Sequence, residues 1–238
     1  MSALKANLMV TPQEIFSTSS TQGTDLGALA TSGDGRYFRY CLAGATALVA
    51  GKLQQAAIED TTNQQALTVT NPALGATSVV TTTTVTLAAN LLAGGFMTIN
   101  SATTGAGFNY KIKGNTAATT AVTTFTLEDP IALACTGTTI IDVKLNPYQS
   151  VIVNPTAATS VPVGVAVYNV TAAQYGWVQV GGPACVLADG TVVVGTALVA
   201  SNATAGAVEA LTGVQAIVAT AITGIASTDY GLVKLMID

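Results

Sequence analysis

The stretch Phe108-Asn-Tyr-Lys-Ile-Lys113 alternates large apolar residues with polar or basic ones. Successive side chains of a β-strand point to opposite faces, so the two aromatic residues and Ile112 would share one face. Glycines bound the stretch, with Gly107 directly before it and Gly114 directly after it. The pattern therefore predicts a half-buried β-strand between two turns.

Similar patterns extend to both sides of this strand. Ser78 to Leu87 alternates valine or leucine with threonine, which predicts one continuous strand with an apolar face. The other strands predicted in this region are Leu67 to Thr70, Phe96 to Ile99, Val122 to Leu127 and Thr138 to Leu145. We therefore predict that residues 60–146 form a first antiparallel β module of five or six strands.

A second module is predicted to begin after Asn146-Pro147, because the residue before a proline is biased out of helix and the apolar alternation restarts there. Its predicted strands are Val161 to Asn169, Gln174 to Val180, Ala184 to Leu187, Ala197 to Ala200, Val214 to Ile222 and Tyr230 to Ile237. Gly181-Gly182-Pro183 is predicted to be a turn. Short strands at this spacing favour a sandwich or barrel over residues 147–238. No period of 20 to 50 residues is visible by eye.

Residues 1–59 are predicted to form an N-terminal arm and a short hairpin. Ser17 to Thr24 is almost entirely serine and threonine, and Asp34-Gly35 is a turn signal leading into the hairpin. Leu53 to Glu59 is expected to form a short helical turn. The predicted fold class is all-β, with an extended N-terminal arm followed by two small antiparallel β modules that are sandwich-like or barrel-like.

The composition excludes several classes of partner. Half of the 238 residues are hydrophobic and only 8 % are charged, against about 25 % charged in an ordinary globular domain. Eight basic and 12 acidic residues leave a net charge of −4, which offers no basic surface to nucleic acid or to anionic lipid. No continuous apolar run of about 18 residues is present, and the first residues lack the apolar core of a secretory signal. We expect no nucleic-acid and no membrane partner.

The side chains that usually carry catalysis and metal binding are scarce. Histidine is absent, which removes the commonest general base and metal ligand. Cys41, Cys135 and Cys185 stand far apart without metal-binding spacing, and we interpret them as small apolar thiols of a protein made in a reducing cytoplasm. We expect no metal and no cofactor.

The acidic residues do not nominate a catalytic pair. Glu59-Asp60 and Glu128-Asp129 are neighbours, and neighbours on a strand point to opposite faces, so we interpret them as solvated turn charges. A glycosidase could assemble two distant carboxylates, for example Asp142 with Asp189, but nothing in the sequence singles out that pair. The chain is therefore predicted not to be an enzyme.

Two aromatic clusters stand out from this background. The first combines basic and aromatic residues, a composition that is favoured in protein interfaces, although an ordinary amphipathic strand is the alternative. Its candidate contact residues are Arg36, Tyr37, Phe38, Arg39 and Tyr40. The second contains Tyr175 and Trp177, which we expect in the core of the second module; the alternative is a ligand-binding platform.

These clusters also carry a resemblance to a known family. The resemblance rests on Asp34-Gly-Arg-Tyr-Phe-Arg-Tyr40 and on Gln174-Tyr-Gly-Trp-Val-Gln-Val-Gly-Gly-Pro-Ala184, with Gly107-Phe-Asn-Tyr-Lys-Ile112, Leu127-Glu-Asp-Pro130 and Asn146-Pro-Tyr148 beside them. In these segments the chain resembles the head decoration, or cement, proteins of tailed bacteriophages. The resemblance covers most of the chain from about residue 25 and involves structural rather than catalytic motifs.

The resemblance implies a non-enzymatic virion protein that binds the outside of the expanded capsid and stabilises it against internal DNA pressure. It implies the major capsid protein as a partner, self-association as a homotrimer, and synthesis in the host cytoplasm before assembly on the capsid surface. Residues 1 to about 50, with Arg36 and Arg39, would then make much of the contact. A phage tail or fibre component, or a cell-surface-binding β module, is the alternative function.

Overall fold

A computed structural model describes residues 8–238, so the predicted arm is described only from Leu8 onward. The chain divides into two compact units, one made of residues up to 58 together with 147–238, and the other of residues 59–146. Strands dominate both units, and each of the two helices in the described residues is four residues long. The all-β class is confirmed.

The elements follow one another in three groups along the chain. The first group is β1 (Leu8–Met9), α1 (Pro12–Ile15), β2 (Leu29–Thr31), β3 (Tyr37–Leu42) and β4 (Leu53–Gln55). The second is α2 (Thr61–Gln64), β5 (Leu67–Val69), β6 (Ser78–Val80), β7 (Val85–Leu87), β8 (Phe96–Ser101), β9 (Asn109–Asn115), β10 (Ala118–Ala121), β11 (Thr124–Leu127) and β12 (Thr139–Lys144). The third is β13 (Ile152–Val153), β14 (Pro162–Ala166), β15 (Tyr175–Leu187), β16 (Ala197–Ala200), β17 (Val208–Ala210), β18 (Ala219–Ala221) and β19 (Tyr230–Met236). The middle group is thus inserted in sequence between β4 and β13.

Residues 59–146 form a nearly closed barrel of six antiparallel strands in the order β5-β12-β8-β9-β11-β6. The last strand returns to the first, because the backbone N–H of Thr70 donates to Val80 O at 3.0 Å and that of Thr82 donates to Thr68 O at 2.7 Å. These hydrogen bonds join the two end strands at one bridge.

The barrel interior follows the alternation of β9. Tyr110 and Ile112 are buried, as the sequence predicts, whereas Phe108 precedes the strand and is 37 % exposed. The other large buried side chains of this unit include Leu67, Met97, Ile99, Phe125 and Ile141.

The prediction of one continuous strand over residues 78–87 is wrong. β6 belongs to the barrel, but β7 pairs with β10 in a separate two-stranded sheet. The break follows Thr81, which is buried and exchanges hydrogen bonds with Thr123: each backbone N–H donates to an oxygen of the other residue at 2.9 Å. These bonds hold the chain at the barrel wall while the next residues leave it.

The other unit contains the same strand arrangement twice. We call β3, β4, β13, β14 and the first part of β15 repeat A, with sheet order β3-β15-β14-β4-β13. The last part of β15 and β16 to β19 form repeat B, with order β15-β19-β18-β16-β17. All of these pairs are antiparallel, and corresponding strands occupy corresponding places.

The two repeats also share a bridge between loops. In repeat A, Leu48 and Val170 exchange backbone hydrogen bonds at 2.8 and 3.1 Å, and in repeat B Val192 and Ile225 do so at 2.8 and 3.0 Å. All four side chains are buried. Each repeat is therefore closed in the same way, by one apolar residue before β4 or β16 and one before β15 or β19.

The repeat is visible in the sequence once the corresponding strands are aligned. Tyr175-Gly-Trp-Val-Gln-Val180 of repeat A corresponds to Tyr230-Gly-Leu-Val-Lys-Leu235 of repeat B. The inserted barrel lies only in repeat A, between β4 and β13, where repeat B has the short segment 201–207 between β16 and β17. Corresponding residues consequently have unequal spacing, and no constant period is visible along the chain.

The predicted turn at Gly181-Gly182-Pro183 is wrong, because β15 runs through these residues and joins the repeats. The register shifts between Gln179 and Gly181, and the strand changes partner there from β3 to β19. Gly182 has φ +81°, and a Cβ at this position would lie 2.1 Å from the carbonyl oxygen of Gly35. Only glycine fits such a bulge.

The predicted helical turn over Leu53 to Glu59 is also wrong. Residues 53–55 form β4, in which Gln54 and Gln55 are fully buried. Their side-chain amides donate to Lys52 O at 2.8 Å and to Thr159 Oγ1 at 2.7 Å. The helix begins only at Thr61.

The equivalent glycines Gly176 and Gly231 provide a test of the repeat. A Cβ on Gly176 would lie 2.6 Å from Val170, and one on Gly231 would lie 2.4 Å from Ile225. We expect Gly176→Ala and Gly231→Ala each to lower the free energy of unfolding by about 1–3 kcal/mol, because both overpack the same kind of contact. Urea denaturation measures the change.

Gly213→Ala is the matched control, since its Cβ would meet nothing closer than 3.8 Å. A loss of stability in only one of the two equivalent variants would contradict the repeat-based prediction.

Candidate binding surface

β3 and β15 bring the two predicted aromatic clusters together. Tyr40 lies opposite Trp177 in the antiparallel pair, with their rings edge-on and the centroids 5.0 Å apart. Tyr175 stacks on Tyr40 at 5.8 Å. Trp177 is buried and Tyr175 is half-buried. Tyr40 is more than 130 positions away from Tyr175 and Trp177 in the sequence, but the sheet brings the three side chains into one cluster.

A segment of the N-terminal region covers this cluster. We call residues 8–31 the N-terminal cover; its Val10, Ile15 and Ala30 pack with Phe38 and the aromatic rings in one core. β2 pairs with β3, and the backbone N–H of Gly23 donates to the Tyr40 hydroxyl at 2.9 Å. Trp177 is therefore in a core that the N-terminal cover completes.

The short helix of the N-terminal cover has its own sequence signal. Thr11 caps α1, the backbone N–H of Thr11 donates to Glu14 Oε2 at 2.7 Å, and Pro12 occupies the first turn. This is a capping box. The hydrogen bonds from Thr11 lower the pKa of the Glu14 carboxyl. The cap fixes the start of the helix and places Ile15, which is fully buried, against the aromatic cluster.

The structure separates the five candidate contact residues into surface and core. Phe38 and Tyr40 are buried, so they cannot contact a partner in this fold. Tyr37 is 46 % exposed. Arg36 is partly exposed, with Nε 2.8 Å from Asp34 Oδ2 and its guanidinium 5.5 Å from the centre of the Phe38 ring. Arg36, Tyr37 and part of Arg39 remain at the surface.

Arg39 contacts residues from three distant segments of the chain. Its guanidinium forms an ion pair with Asp238, with Nε donating at 2.6 Å, and Nη1 donates to Gly27 O at 2.8 Å. The same group lies 5.9 Å from the centre of the Tyr148 ring. Burial, with the Asp238 carboxylate nearby, raises the pKa of Tyr148 to about 12. Arg39 thus connects β3, the N-terminal cover and the C-terminal residues.

Four of the acidic residues considered for catalysis, Asp60, Glu128, Asp142 and Asp189, have structural partners. Asp142 accepts from Ala66 N at 2.7 Å and from Asn100 Nδ2 at 2.8 Å. Asp189 accepts from Ser201 Oγ at 2.6 Å. Glu128 forms an ion pair with Lys111, and Asp60 caps α2. Within residues 8–238, no group of three or more histidine, cysteine or acidic side chains could hold a metal ion.

The surface of the two-repeat unit instead presents two cavities with apolar lining. The first, of about 330 Å³, lies beside the aromatic cluster; its lining includes Leu8, Met9, Glu14, Tyr40, Tyr175 and Trp177. The second, of about 420 Å³, lies where the two repeats meet; its lining includes Phe16, Arg36, Val167, Cys185, Tyr230 and Leu232. Few charges line either cavity, so an apolar partner surface could be buried there without stranding an ion.

The second cavity contains residues that sequence reasoning missed. Tyr230 and Leu232 occur in the segment that matches Tyr175 and Trp177, so the repeat is the signal that would have found them. Taken alone, the sequence of β19 predicts only a strand, because nothing in it distinguishes the exposed face.

Comparisons with protein-family models, with curated proteins and with solved structures find no match to this chain. Within residues 8–238, neither helix is long or apolar enough to span a membrane. The surface of the two-repeat unit and the resemblance in the sequence are therefore the features that bear on function.

The burial of the cysteines predicts how the thiols react. Cys41 and Cys135 are buried, and burial raises the pKa of the Cys41 thiol to about 12, whereas Cys185 is exposed. We expect Ellman's reagent to modify Cys185 alone in the native protein and all three cysteines in denaturant. Cys185→Ser should abolish the native reaction. Rapid native modification of that variant would contradict the assigned burial.

The two arginines should differ in their effect on stability. Arg39→Ala removes charged hydrogen bonds to Gly27 and Asp238, so we expect a loss of about 1–3 kcal/mol in the free energy of unfolding. Arg36→Ala is the matched control and should have a smaller effect, because Arg36 pairs with Asp34 only two residues away and so connects no distant segments. Urea denaturation compares the two. Equal destabilisation would contradict the connecting role of Arg39.

Proposed function

We propose that this protein is a structural virion component that binds the outer surface of a phage capsid and stabilises the expanded head. The observation that carries the proposal is the chemistry of the surface. The described residues expose many large apolar side chains, whereas much of the small set of charges is engaged in ion pairs and helix caps. An apolar surface with few free charges can be buried against another protein without leaving an unpaired ion.

The resemblance to head decoration proteins supports the same function. It concerns the segments that build β3 and β15, the strands at the centre of the two-repeat unit. In this proposal the partners are the major capsid protein and further copies of the chain, assembled as a homotrimer. No catalytic step, cofactor or metal is part of the function.

Burial limits which side chains of the proposed contact region, residues 1 to about 50, are available to a partner. The N-terminal cover buries Phe38 and Trp177, so removing residues 1–30 would expose a core as well as remove a contact. The capsid contact is therefore assigned to side chains on the outside of this region. These are Leu8, Met9 and Tyr37, which are exposed, and Arg36, which is partly exposed.

Co-sedimentation with expanded empty heads that lack the protein tests the proposal. We expect saturable binding, and bound heads should resist thermal disruption better than bare heads. Because an apolar contact is little affected by ionic screening, Kd should change less than about threefold between about 50 mM and about 500 mM NaCl. Absence of binding, or its loss at high salt, would contradict the proposal.

A matched pair of surface variants tests the contact region. Tyr37→Asp places a charge in the proposed contact and should weaken binding about tenfold. Leu74→Asp changes a residue that is 68 % exposed in the barrel unit and should leave binding unchanged. Equal Kd values for both variants would place the contact elsewhere.

A further inference from the structure

The cavity beside the aromatic cluster combines aromatic rings, hydroxyl groups and a carboxylate. We call this space, of about 330 Å³, the aromatic cavity. Tyr40, Tyr175 and Trp177 line it from the sheet. Glu14 lines it from the N-terminal cover and is the one charged side chain among the described residues of the lining. Ligand sites range over about 300–1,000 Å³, so a cavity of this size accommodates a small ligand or a single side chain.

The Glu14 carboxylate supplies a negative charge that has no basic partner. Thr11 donates to Oε2 twice, from its backbone N–H at 2.7 Å and from its hydroxyl at 2.9 Å. These bonds lower the pKa of the carboxyl, so it is ionised at neutral pH. The side chain is exposed, and no ion pair to it occurs within the described residues. The capping box therefore fixes a charge that can pair with a cation from outside.

The hydroxyl groups of Ser17 and Thr18, which also line the cavity, leave acceptors rather than donors for a ligand. Ser17 Oγ donates to the backbone oxygen of Glu14 at 3.0 Å. Thr18 Oγ1 donates to Gln174 Oε1 at 2.9 Å. A hydroxyl has one hydrogen to donate, so both oxygens keep lone pairs that can accept. Lysine and arginine side chains carry only donors, which matches this lining.

The aromatic rings favour a cation over an anion. Tyr175 is half-buried and stacks on Tyr40, with the ring centroids 5.8 Å apart. Tyr40 in turn meets Trp177 edge-on at 5.0 Å. The face of an aromatic ring carries partial negative charge and attracts an ammonium or guanidinium group. The rings and the carboxylate of Glu14 therefore select the same charge.

We propose that the aromatic cavity binds the side chain of a lysine or arginine of the capsid shell protein, with its cation at Glu14 and its aliphatic stem on Tyr175. The proposal rests on the proposed function, in which Leu8 and Met9 belong to the capsid contact. Both residues line the cavity, and they are 42 % and 68 % exposed. The cavity thus opens within the surface assigned to that contact. One exposed ion pair contributes little, in keeping with the weak salt dependence expected for the whole contact.

Trp177 is the only tryptophan of the chain and lines the cavity, so its fluorescence reports occupancy. The probes are N-acetyl-lysinamide and N-acetyl-argininamide. N-acetyl-norleucinamide, which has a similar stem without the ammonium group, is the matched control. We expect a saturable change with a basic probe at a Kd of about 1–30 mM, because a single side chain buries little surface. The norleucine compound should bind at least about threefold more weakly, because it lacks the charge.

Glu14→Gln tests the carboxylate. It removes the charge but keeps the capping box, since glutamine can accept the same hydrogen bonds at this position. We expect Kd to rise at least about threefold for the basic probes and for expanded heads. Asp129→Asn is the matched control, because it makes the same change in net charge at an exposed position of the barrel unit and should bind like wild type. Thermal unfolding verifies that each variant is folded.

Two substitutions of Tyr175 test the aromatic ring. Tyr175→Leu removes the ring face, so we expect Kd for the basic probes to rise at least about threefold. Tyr175→Phe keeps the ring and should bind like wild type. If Tyr175→Leu binds the basic probes as tightly as Tyr175→Phe does, the assignment of the stem to this ring is overturned.

The outcomes separate the two proposals. If wild type binds heads and Glu14→Gln binds them equally well, the cavity proposal is overturned and the proposed function stands. The same holds if the norleucine compound binds as tightly as the basic probes, or if neither basic probe binds at up to about 100 mM. If wild type binds the basic probes but not heads, the proposed function and the assignment to the shell protein are overturned. If sedimentation velocity shows self-association that Glu14→Gln abolishes, a second copy supplies the cation and the proposal is overturned.

Discussion

The side-chain amide of Gln179 holds the strand on which the whole two-repeat unit depends. Nε2 donates to the carbonyl oxygens of Gly181, at 3.0 Å, and of Pro183, at 2.7 Å, and the side chain is buried. These bonds bridge the bulge and keep β15 extended where two glycines and a proline would otherwise favour a turn. β15 can therefore end repeat A and begin repeat B. A buried amide without these acceptors would cost about 1–3 kcal/mol, so the bulge and the glutamine side chain stabilise each other.

The sequence predicted the fold where local periodicity is sufficient and failed where distant partners decide. Alternation in β9 correctly predicts that Tyr110 and Ile112 share the buried face of a strand, because a half-buried strand leaves a period of two in its own residues. Gln54 and Gln55 form a strand although they are polar, since their partners lie about 100 residues away in β13 and β14. The repeat was invisible because the barrel interrupts only one of its halves. Each wrong prediction depends on residues that lie far apart in the sequence, so a short stretch of sequence could not reveal it.

At the candidate surface, too, some features follow from the local sequence and others depend on distant residues. The sequence singles out aromatic residues on β3 and β15, but Phe38 and Tyr40 belong to the core, because a covered strand and an exposed one can carry the same aromatic pattern. What distinguishes them is the N-terminal cover, whose capping box at Thr11 is visible in the sequence but whose docking place is not. The aromatic cavity is lined by that cover and by rings on β3 and β15, so predicting it requires the strand register.

The insertion of the barrel between β4 and β13 determines the order in which the chain can fold during synthesis. Strands β3 and β4 leave the ribosome first, but their sheet partners in β14 and β15 follow only after all of residues 59–146. The strands of the barrel pair only among themselves, so the barrel can close before the later strands of repeat A have been synthesised. To form repeat A, the chain must close the long loop of residues 59–146, which costs conformational entropy. The strands of repeat B are joined by short connections, so their loop-closure cost is smaller. The chain order thus allows the barrel to close before repeat A is complete.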